Sequence, residues 1–253
     1  MMWSLGDYTR VAQRLEPYAR RLADACPISE GDQVLDVAAG NGNFAVAAAE
    51  RGAAVTACDT APRMLELGRA RTAGMDIAWA EGDAEELPYP DASFDVVGSV
   101  FGAMFAPRPE RVARELFRVC RPGGLVAMAN YSPDGFLAGT TALFGRFSTP
   151  LPFALPSPFE WGEPRIARER LGGFASTIEI DELELTMTFE TVPAAVDFWE
   201  ETNAPMVALR MRLTPEQYAA CRRELGELMA AMSRPGASGI ELSNSYVQVL
   251  ARK

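Results

Sequence analysis

The sequence contains no histidine. Histidine is the most frequent general base near neutral pH and a common zinc ligand, so its absence excludes Ser-His-Asp and Cys-His catalytic devices and most zinc sites. Any chemistry must therefore rely on the placement of reactants, on carboxylates, on tyrosines or on backbone dipoles.

Paired cysteines, basic clusters and long apolar runs are missing as well. Cys26, Cys58, Cys120 and Cys221 form no C-x-x-C pair, which predicts reduced thiols of a cytoplasmic protein and no disulfide or metal framework. The net charge is -10 and arginines form no stripe, so nucleic acid is not an expected partner. No apolar run reaches membrane-spanning length, and the first residues lack the layout of a signal peptide.

The 253 residues, 48% of them hydrophobic, suit one α/β domain with an appendage. Apolar residues at helical spacing predict an amphipathic helix over residues 8–25. Strands and helices then alternate, which favours a parallel, doubly wound sheet. Strands are expected at 33–37, 54–58, 76–80, 94–100 and 124–130, and helices near 42–50, 61–71 and 109–119.

The alternation stops at Ser132. Residues 132–163 are rich in proline, glycine and phenylalanine and cannot form one regular helix. A helix near 163–172 follows. Two later segments, 176–190 and 239–251, have strand character, and helical patterns near 193–211 and 215–232 lie between them.

Residues 34–59 carry the strongest functional signal. A strand ends in a turn of small residues, a helix follows, and a second strand closes on Asp59. This order places backbone N–H groups and a helix start beside a carboxylate that can accept two ribose hydroxyls, and so favours a nucleoside-bearing cofactor over a simple tight turn. The dinucleotide fingerprint does not fit, because Ala38, Gly40 and Asn43 occupy its three glycine places.

A different pattern, acid-x-Gly-x-Gly-x-Gly, fits through Asp36, Gly40 and Gly42, with Ala38 at its first glycine. Further elements follow in order: Asp59, then Glu81-Gly82-Asp83-Ala84, then Ser93-Phe94-Asp95, then Arg121-Pro122-Gly123-Gly124. With them the chain resembles the class I S-adenosylmethionine (SAM) dependent methyltransferases, in the small-molecule branch that includes quinone and natural-product enzymes.

The resemblance implies a Rossmann-like, doubly wound sheet of seven strands, mostly parallel with an antiparallel edge strand, and helical lid insertions. Residues 1–30 would form a helical cap and residues 31–131 the SAM-binding core. A Pro/Phe-rich lid with a helix would span 132–175. The edge strands would lie in 176–253, with the helical insertion 193–232 over the acceptor site.

Carried over by position, the resemblance also implies a cofactor site. Asp59 would accept the ribose hydroxyls, Asp83 the adenine amino group, and Met64 would pack on the adenine face. Asp36 would order the glycine turn or meet the amino group through water, and Ser99 would contact the amino acid end. The full expected set is Tyr8, Asp36, Ala38, Ala39, Gly40, Gly42, Asp59, Thr60, Met64, Gly82, Asp83, Ala84 and Ser99. Trp3 and Arg14 either close the site with Tyr8 or serve core packing and surface charge.

Methyl transfer from a sulfonium is an in-line displacement that needs placement more than proton transfer. Weak candidates for a base are Tyr131, Glu160 and Glu163. The Gly98–Phe101 stretch lacks the Asp/Asn-Pro-Pro motif, which disfavours adenine or glutamine nitrogens. An apolar or aromatic acceptor pocket, or alternatively a sealing lid, is expected from aromatic and sulfur-bearing residues. These are Phe101, Met104, Phe105, Tyr131, Phe159, Trp161, Phe198 and Trp199.

The expected activity is therefore methyl transfer from SAM, with S-adenosylhomocysteine as product, to a small molecule of secondary metabolism by a monomer or homodimer. Two alternatives stay open. A nicotinamide-dependent oxidoreductase would explain the strand-helix-strand unit and Asp59 but not the glycine spacing. A non-catalytic SAM-binding interaction protein would keep the motifs without turnover.

Overall fold

The computed structural model describes residues 2–149 and 154–253, so residues 150–153 of the expected lid lie outside the described residues. Strands and helices alternate in the first half of the chain, as predicted. The strands are β1 (Gln33–Val37), β2 (Ala54–Asp59), β3 (Ile77–Glu81), β4 (Phe94–Val100), β5 (Cys120–Tyr131), β6 (Thr177–Phe189), β7 (Ser233–Gly236) and β8 (Gly239–Arg252).

The helices are α1 (Tyr8–Ala25), α2 (Asn43–Ala49), α3 (Pro62–Arg71), α4 (Pro109–Val119), α5 (Phe136–Arg146), α6 (Pro164–Leu171), α7 (Val192–Thr202), α8 (Ala204–Arg210) and α9 (Pro215–Met232). Short 3-10 helices occupy Met2–Ser4, Ala103–Phe105 and Pro158–Gly162. In the parts of the chain described here, none of the helices has both the length and the apolar character needed to span a bilayer.

One mixed sheet organises the molecule, in the order β3-β2-β1-β4-β5-β8-β6, with β7 paired to the start of β8. The strands β1 to β5 run parallel, and β8 runs antiparallel to both β5 and β6. The predicted mostly parallel, Rossmann-like sheet with antiparallel strands at one edge is confirmed, with β7 as an eighth strand. The strand order reverses beside β1, and ligands of such sheets bind there, at the carboxyl ends of the strands.

Both faces of the central strands are buried, because successive residues point to opposite faces. Val34 of β1 joins the apolar cluster under α1 and α2, whereas Leu35 joins the larger cluster that includes α4. Val96 and Val97 of β4 divide in the same way. The two clusters hold the carboxyl ends of β1 and β4 side by side.

One helical prediction needs correction. The expected helix 193–211 is broken into α7 and α8, because the Asn203 side chain accepts the Met206 N–H (3.1 Å) as an N-cap and Pro205 opens the new helix. As predicted, residues 132–163 do not form one regular helix: they contain the helix α5, which begins after Gly135, and the 3-10 helix Pro158–Gly162.

Gly98 of β4 is expected to tolerate no side chain, because a Cβ placed there would lie 2.2 Å from Cε1 of the buried Phe44 on α2. We expect Gly98→Ala to lower the free energy of unfolding by about 1–3 kcal/mol, the usual cost of overpacking. Urea unfolding would measure it. The matched control is Gly145→Ala in α5, where a Cβ meets no described atom within 4 Å and alanine favours the helix. Equal effects of the two changes would contradict this packing.

Candidate functional site

The turn after β1 brings backbone to the carboxyl edge of the sheet. Ala38, Gly40 and Gly42 all have positive φ, at 53°, 58° and 88°. Glycine adopts this conformation without strain, whereas alanine at Ala38 does so at a cost. A Cβ at Gly102, just past β4, would lie 2.4 Å from the Ala38 carbonyl oxygen. The ends of β1 and β4 therefore approach each other as closely as glycine permits.

Asp59, the last residue of β2, joins this turn to the start of α3. Its Oδ2 accepts the Gly40 N–H (2.9 Å) and its Oδ1 accepts the Ala61 N–H (2.8 Å). Burial raises the pKa of this carboxyl, while the N–H groups of Ala61 and Gly40 oppose the shift. A carboxylate has about four lone-pair sites, so Asp59 keeps capacity for a further donor beside the N–H groups of Ala61, Gly40 and Thr60.

The loop after β3 lies next to Asp59 along the same edge. Asp83 Oδ1 accepts the Glu85 N–H (2.9 Å), and the buried Glu85 carboxylate accepts the Arg108 backbone N–H (2.6 Å) and pairs with the Arg108 guanidinium. These bonds tie the loop to the segment before α4. Asp83 and Ala84 are thereby held at the cavity described next.

A cavity of about 370 Å³ opens at the carboxyl ends of β1, β2 and β4. This volume lies within the range of small-molecule sites. Residues expected at the cofactor that line it are Tyr8, Ala38, Gly40, Asp59, Thr60, Met64, Gly82, Asp83 and Ala84. Residues expected at the acceptor that line it are Phe101, Phe105, Tyr131, Phe159, Phe198 and Trp199, and Trp3 lines it too.

Known proteins share this architecture and sequence. Residues 35–128 match the family model described as a methyltransferase domain. The protein Rv1403c of Mycobacterium tuberculosis (strain H37Rv) is 36% identical over 233 residues, which cover 90% of this chain and 85% of that protein. The chain belongs to the class I SAM-dependent methyltransferase family.

Two further similarities concern a named enzyme and a solved fold. The demethylmenaquinone methyltransferase of Clavibacter sepedonicus is 42% identical over 103 residues, which cover 40% of this chain and 42% of that enzyme. The crystal structure of YcgJ from Bacillus subtilis superposes with a TM-score of 0.64 at 16% identity, covering 94% of this chain and 98% of that one. The latter similarity concerns the fold alone.

Four of the expected cofactor residues of this methyltransferase do not line the cavity. Asp36 instead accepts the Ala45 N–H (2.9 Å) and so orders the start of α2. The Ser99 hydroxyl donates to the Val37 carbonyl (2.8 Å) and accepts the Ala103 N–H (3.0 Å), which ties β4 to β1. Ala39 and Gly42 are not among the residues that line the cavity.

Two expected acceptor residues, Met104 and Trp161, do not line the cavity either. Both are buried and belong to short 3-10 helices, in which neighbouring residues point in different directions. Met104 and Trp161 join the core, where Arg170 packs over the Trp161 ring at 4.8 Å, while Phe105 and Phe159 reach the cavity.

None of the three candidate bases combines a position at the cavity with the ionised form that a general base needs. Glu160 pairs with Arg170 (2.5 Å), and neither Glu160 nor Glu163 lines the cavity. Tyr131 does line it, but burial raises the pKa of its phenol well above the usual range, with smaller effects of Tyr8 and Tyr18. Near neutral pH the Tyr131 hydroxyl is therefore protonated and acts as a donor.

The N-terminal helix α1 covers one side of the cavity. A Cβ at Gly40 would lie 2.3 Å from the Tyr8 hydroxyl, so the phenol rests directly on the glycine turn. Burial raises the Tyr8 pKa, and the nearby Asp59 and Asp36 raise it further. Arg14 does not reach the cavity: it donates to the Thr188 carbonyl (3.0 Å) and lies over the ring of Phe189.

Several lining residues were missed because they come from distant parts of the chain. Val11 and Leu15 follow Tyr8 at helical spacing, so the periodicity of α1 could have identified them. The others come from elements whose packing no local motif reveals. They are Val100, Gly102, Ala103, Ala106, Pro107, Leu137, Thr141, Met187, Thr202, Asn203 and Pro205.

The buried Asp36 makes stability depend on pH. The pKa of Asp36 is raised from 3.8 to about 8, and burial is the largest cause. The hydrogen bond from the Ala45 N–H lowers this pKa, whereas the nearby charge of Asp59 raises it further. Between these values the folded state retains a proton that the unfolded state releases, so the free energy of unfolding falls as pH rises from about 4 to 8.

We expect Asp36→Asn to keep an acceptor for Ala45 and to remove this dependence. Relative to the wild type, the free energy of unfolding of the variant should rise by about 3–4 kcal/mol from about pH 5 to pH 8. Urea unfolding at both pH values measures the gain, with the exposed Asp76→Asn as control. A gain that does not differ from the control would show that Asp36 is not protonated in the fold.

Proposed function

We propose that this methyltransferase moves the methyl group of SAM to a small apolar or aromatic acceptor. The observation that carries the proposal is one continuous cavity that joins the carboxylate of Asp59, beside Gly40, to the aromatic rings around Tyr131. In the reaction the bond from sulfur to the methyl carbon breaks and a bond from the acceptor to that carbon forms. S-adenosylhomocysteine leaves, and any proton displaced from the acceptor passes to water.

The residues at the cofactor end fit an adenosyl sulfonium. The Asp59 carboxylate would accept hydrogen bonds from the ribose hydroxyls. Asp83 and the Ala84 N–H would take the adenine edge, and Met64 its face. The backbone of Ala38 and Gly40 would hold the methionine part. In this division residues 31–131 supply most of the cofactor site, and α1 with parts of 176–253 cover the acceptor.

In this proposal the enzyme accelerates the reaction by placing the two reactants correctly. The methyl carbon of a sulfonium is already activated, so the protein has to align the acceptor with it and exclude water. The uncharged aromatic lining supports water exclusion. A protonated Tyr131 and the distant Glu160 and Glu163 support a mechanism without a protein base.

The similarity to demethylmenaquinone methyltransferase supports an aromatic acceptor of the quinol type, which is the electron-rich, reduced form of a quinone. In that case a ring carbon or an acidic ring oxygen would receive the methyl group. Neither needs a strong base at the enzyme, because the acceptor itself is electron-rich or ionises readily.

Asp59→Ala is expected to weaken binding of S-adenosylhomocysteine by about 1–3 kcal/mol, the size of lost hydrogen bonds to a charged acceptor. Isothermal titration calorimetry measures it. The matched control is Asp95→Ala, because Asp95 also accepts a backbone N–H, from Gln33 (2.9 Å), but at the amino end of β4. Unchanged affinity of Asp59→Ala would remove this residue from the cofactor site.

The same calorimetry distinguishes the alternative functions. Binding of NAD⁺ or NADP⁺ in place of S-adenosylhomocysteine would favour an oxidoreductase. Tight binding of S-adenosylhomocysteine without methylation of any phenol, quinol, amine or thiol offered with SAM would favour a non-catalytic interaction protein.

A further inference from the structure

Charge is confined to one end of the cavity. Among its described lining residues the charged ones are Asp59 and Asp83, which both lie at the cofactor end. The nearest arginines of α1 are engaged elsewhere: Arg10 pairs with Glu201, and Arg14 lies over Phe189 and Phe198. A phosphate or carboxylate on the acceptor would lose its hydration without gaining a cation, which is costly.

The acceptor end is shaped by aromatic rings. Phe101 and Tyr131 are stacked, with centroids 4.0 Å apart and an interplanar angle of 9°. Phe105 meets Phe159 edge to face, at 6.4 Å and 85°. Such faces and edges pack well against a planar ring.

The position of Tyr131 is fixed by its surroundings. A Cβ at Gly162 would lie 2.1 Å from the Tyr131 carbonyl oxygen, so the chain segment of Gly162 packs directly on its backbone. Phe101, which stacks on the Tyr131 ring, holds a positive φ of 55°. A bulky residue adopts this conformation only where its surroundings impose it, and such strain is concentrated at functional sites.

The Tyr131 hydroxyl is one polar group at this end of the cavity, and the buried Trp199 indole N–H, which has no partner among the described residues, is another. The Tyr131 side chain is 5% exposed and lines the cavity. A fixed O–H that faces an apolar space is stabilised by pairing with an acceptor oxygen.

From these observations we infer that the acceptor is an uncharged, planar molecule with an oxygen that accepts a hydrogen bond from the Tyr131 hydroxyl. The inference rests on the proposed function and refines its acceptor class. It excludes acceptors that carry phosphate, diphosphate or carboxylate groups. It also assigns Tyr131 the role of orienting the acceptor ring before the methyl group.

The test uses the full chain saturated with S-adenosylhomocysteine and three ring probes of similar size. The probes are naphthalene, which has no oxygen, 1-tetralone, whose carbonyl only accepts hydrogen bonds, and 1-naphthoate, which is anionic. Calorimetry or quenching of tryptophan fluorescence gives their affinities. In the wild type, 1-naphthoate is expected to bind at least about tenfold more weakly than 1-tetralone.

Tyr131→Phe is expected to weaken the binding of 1-tetralone about fivefold, which is the effect of losing one hydrogen bond. Its affinity for naphthalene should stay within about twofold of the wild-type value. The matched control is Tyr246→Phe, because Tyr246 contacts the same Phe101 ring, at 5.4 Å, without lining the cavity. That control should leave both affinities unchanged. Unchanged affinity for S-adenosylhomocysteine shows that each variant is folded.

Three outcomes would overturn the inference. They are an equal effect of Tyr131→Phe on 1-tetralone and naphthalene, binding of 1-naphthoate as tight as that of 1-tetralone, and no binding of either neutral probe. Each leaves the proposed function intact as long as S-adenosylhomocysteine binds. Failure of that cofactor product to bind at all would instead count against the proposed function itself.

Discussion

The carboxylate of Asp59 is the interaction on which the site depends. By accepting N–H groups from Gly40 and Ala61, it fixes the turn after β1 against the end of β2 and the start of α3. Two separate backbone segments thus acquire one geometry before any ligand binds. Those N–H groups offset part of the cost of burying the carboxylate, since burial still raises its pKa. The same oxygens retain the capacity to accept hydroxyls, so the bond that organises the edge also recognises the proposed ligand.

The two ends of the cavity differ in polarity and also in how far apart in the sequence their lining residues lie. The charged end is built from residues close in sequence, because consecutive parallel strands end at the same edge of the sheet. The aromatic end draws on residues that lie far apart in the sequence, among them Phe101, Tyr131 and Phe159. The residues expected at the cofactor therefore belong mostly to the first strands and turns, whereas those expected at the acceptor also come from segments that follow β5.

This difference also explains how much the sequence could predict. The order of β1 to β5 and the antiparallel edge followed from periodicity and the family resemblance, since these are local or shared features. The break at Asn203, the strand β7 and the helix α5 could not be separated from their surroundings by pattern alone. The sequence also could not show which apolar residues line the cavity. Met104 and Phe105 are both apolar neighbours, and only their packing in the structure shows which one faces the cavity.

A chain without histidine is consistent with a site that leaves proton transfer to the acceptor. The titratable groups at the cavity are shifted away from such a role, since burial favours the neutral forms of Tyr8 and Tyr131. Neutral phenols in an apolar space donate hydrogen bonds and do not attract water as ions would. What remains is alignment of two reactants, and the strained backbone at Ala38 and Phe101 marks where the structure is held to that geometry. In the proposed mechanism the reactivity comes from the two ligands, and the protein sets the distance and angle between them and excludes water.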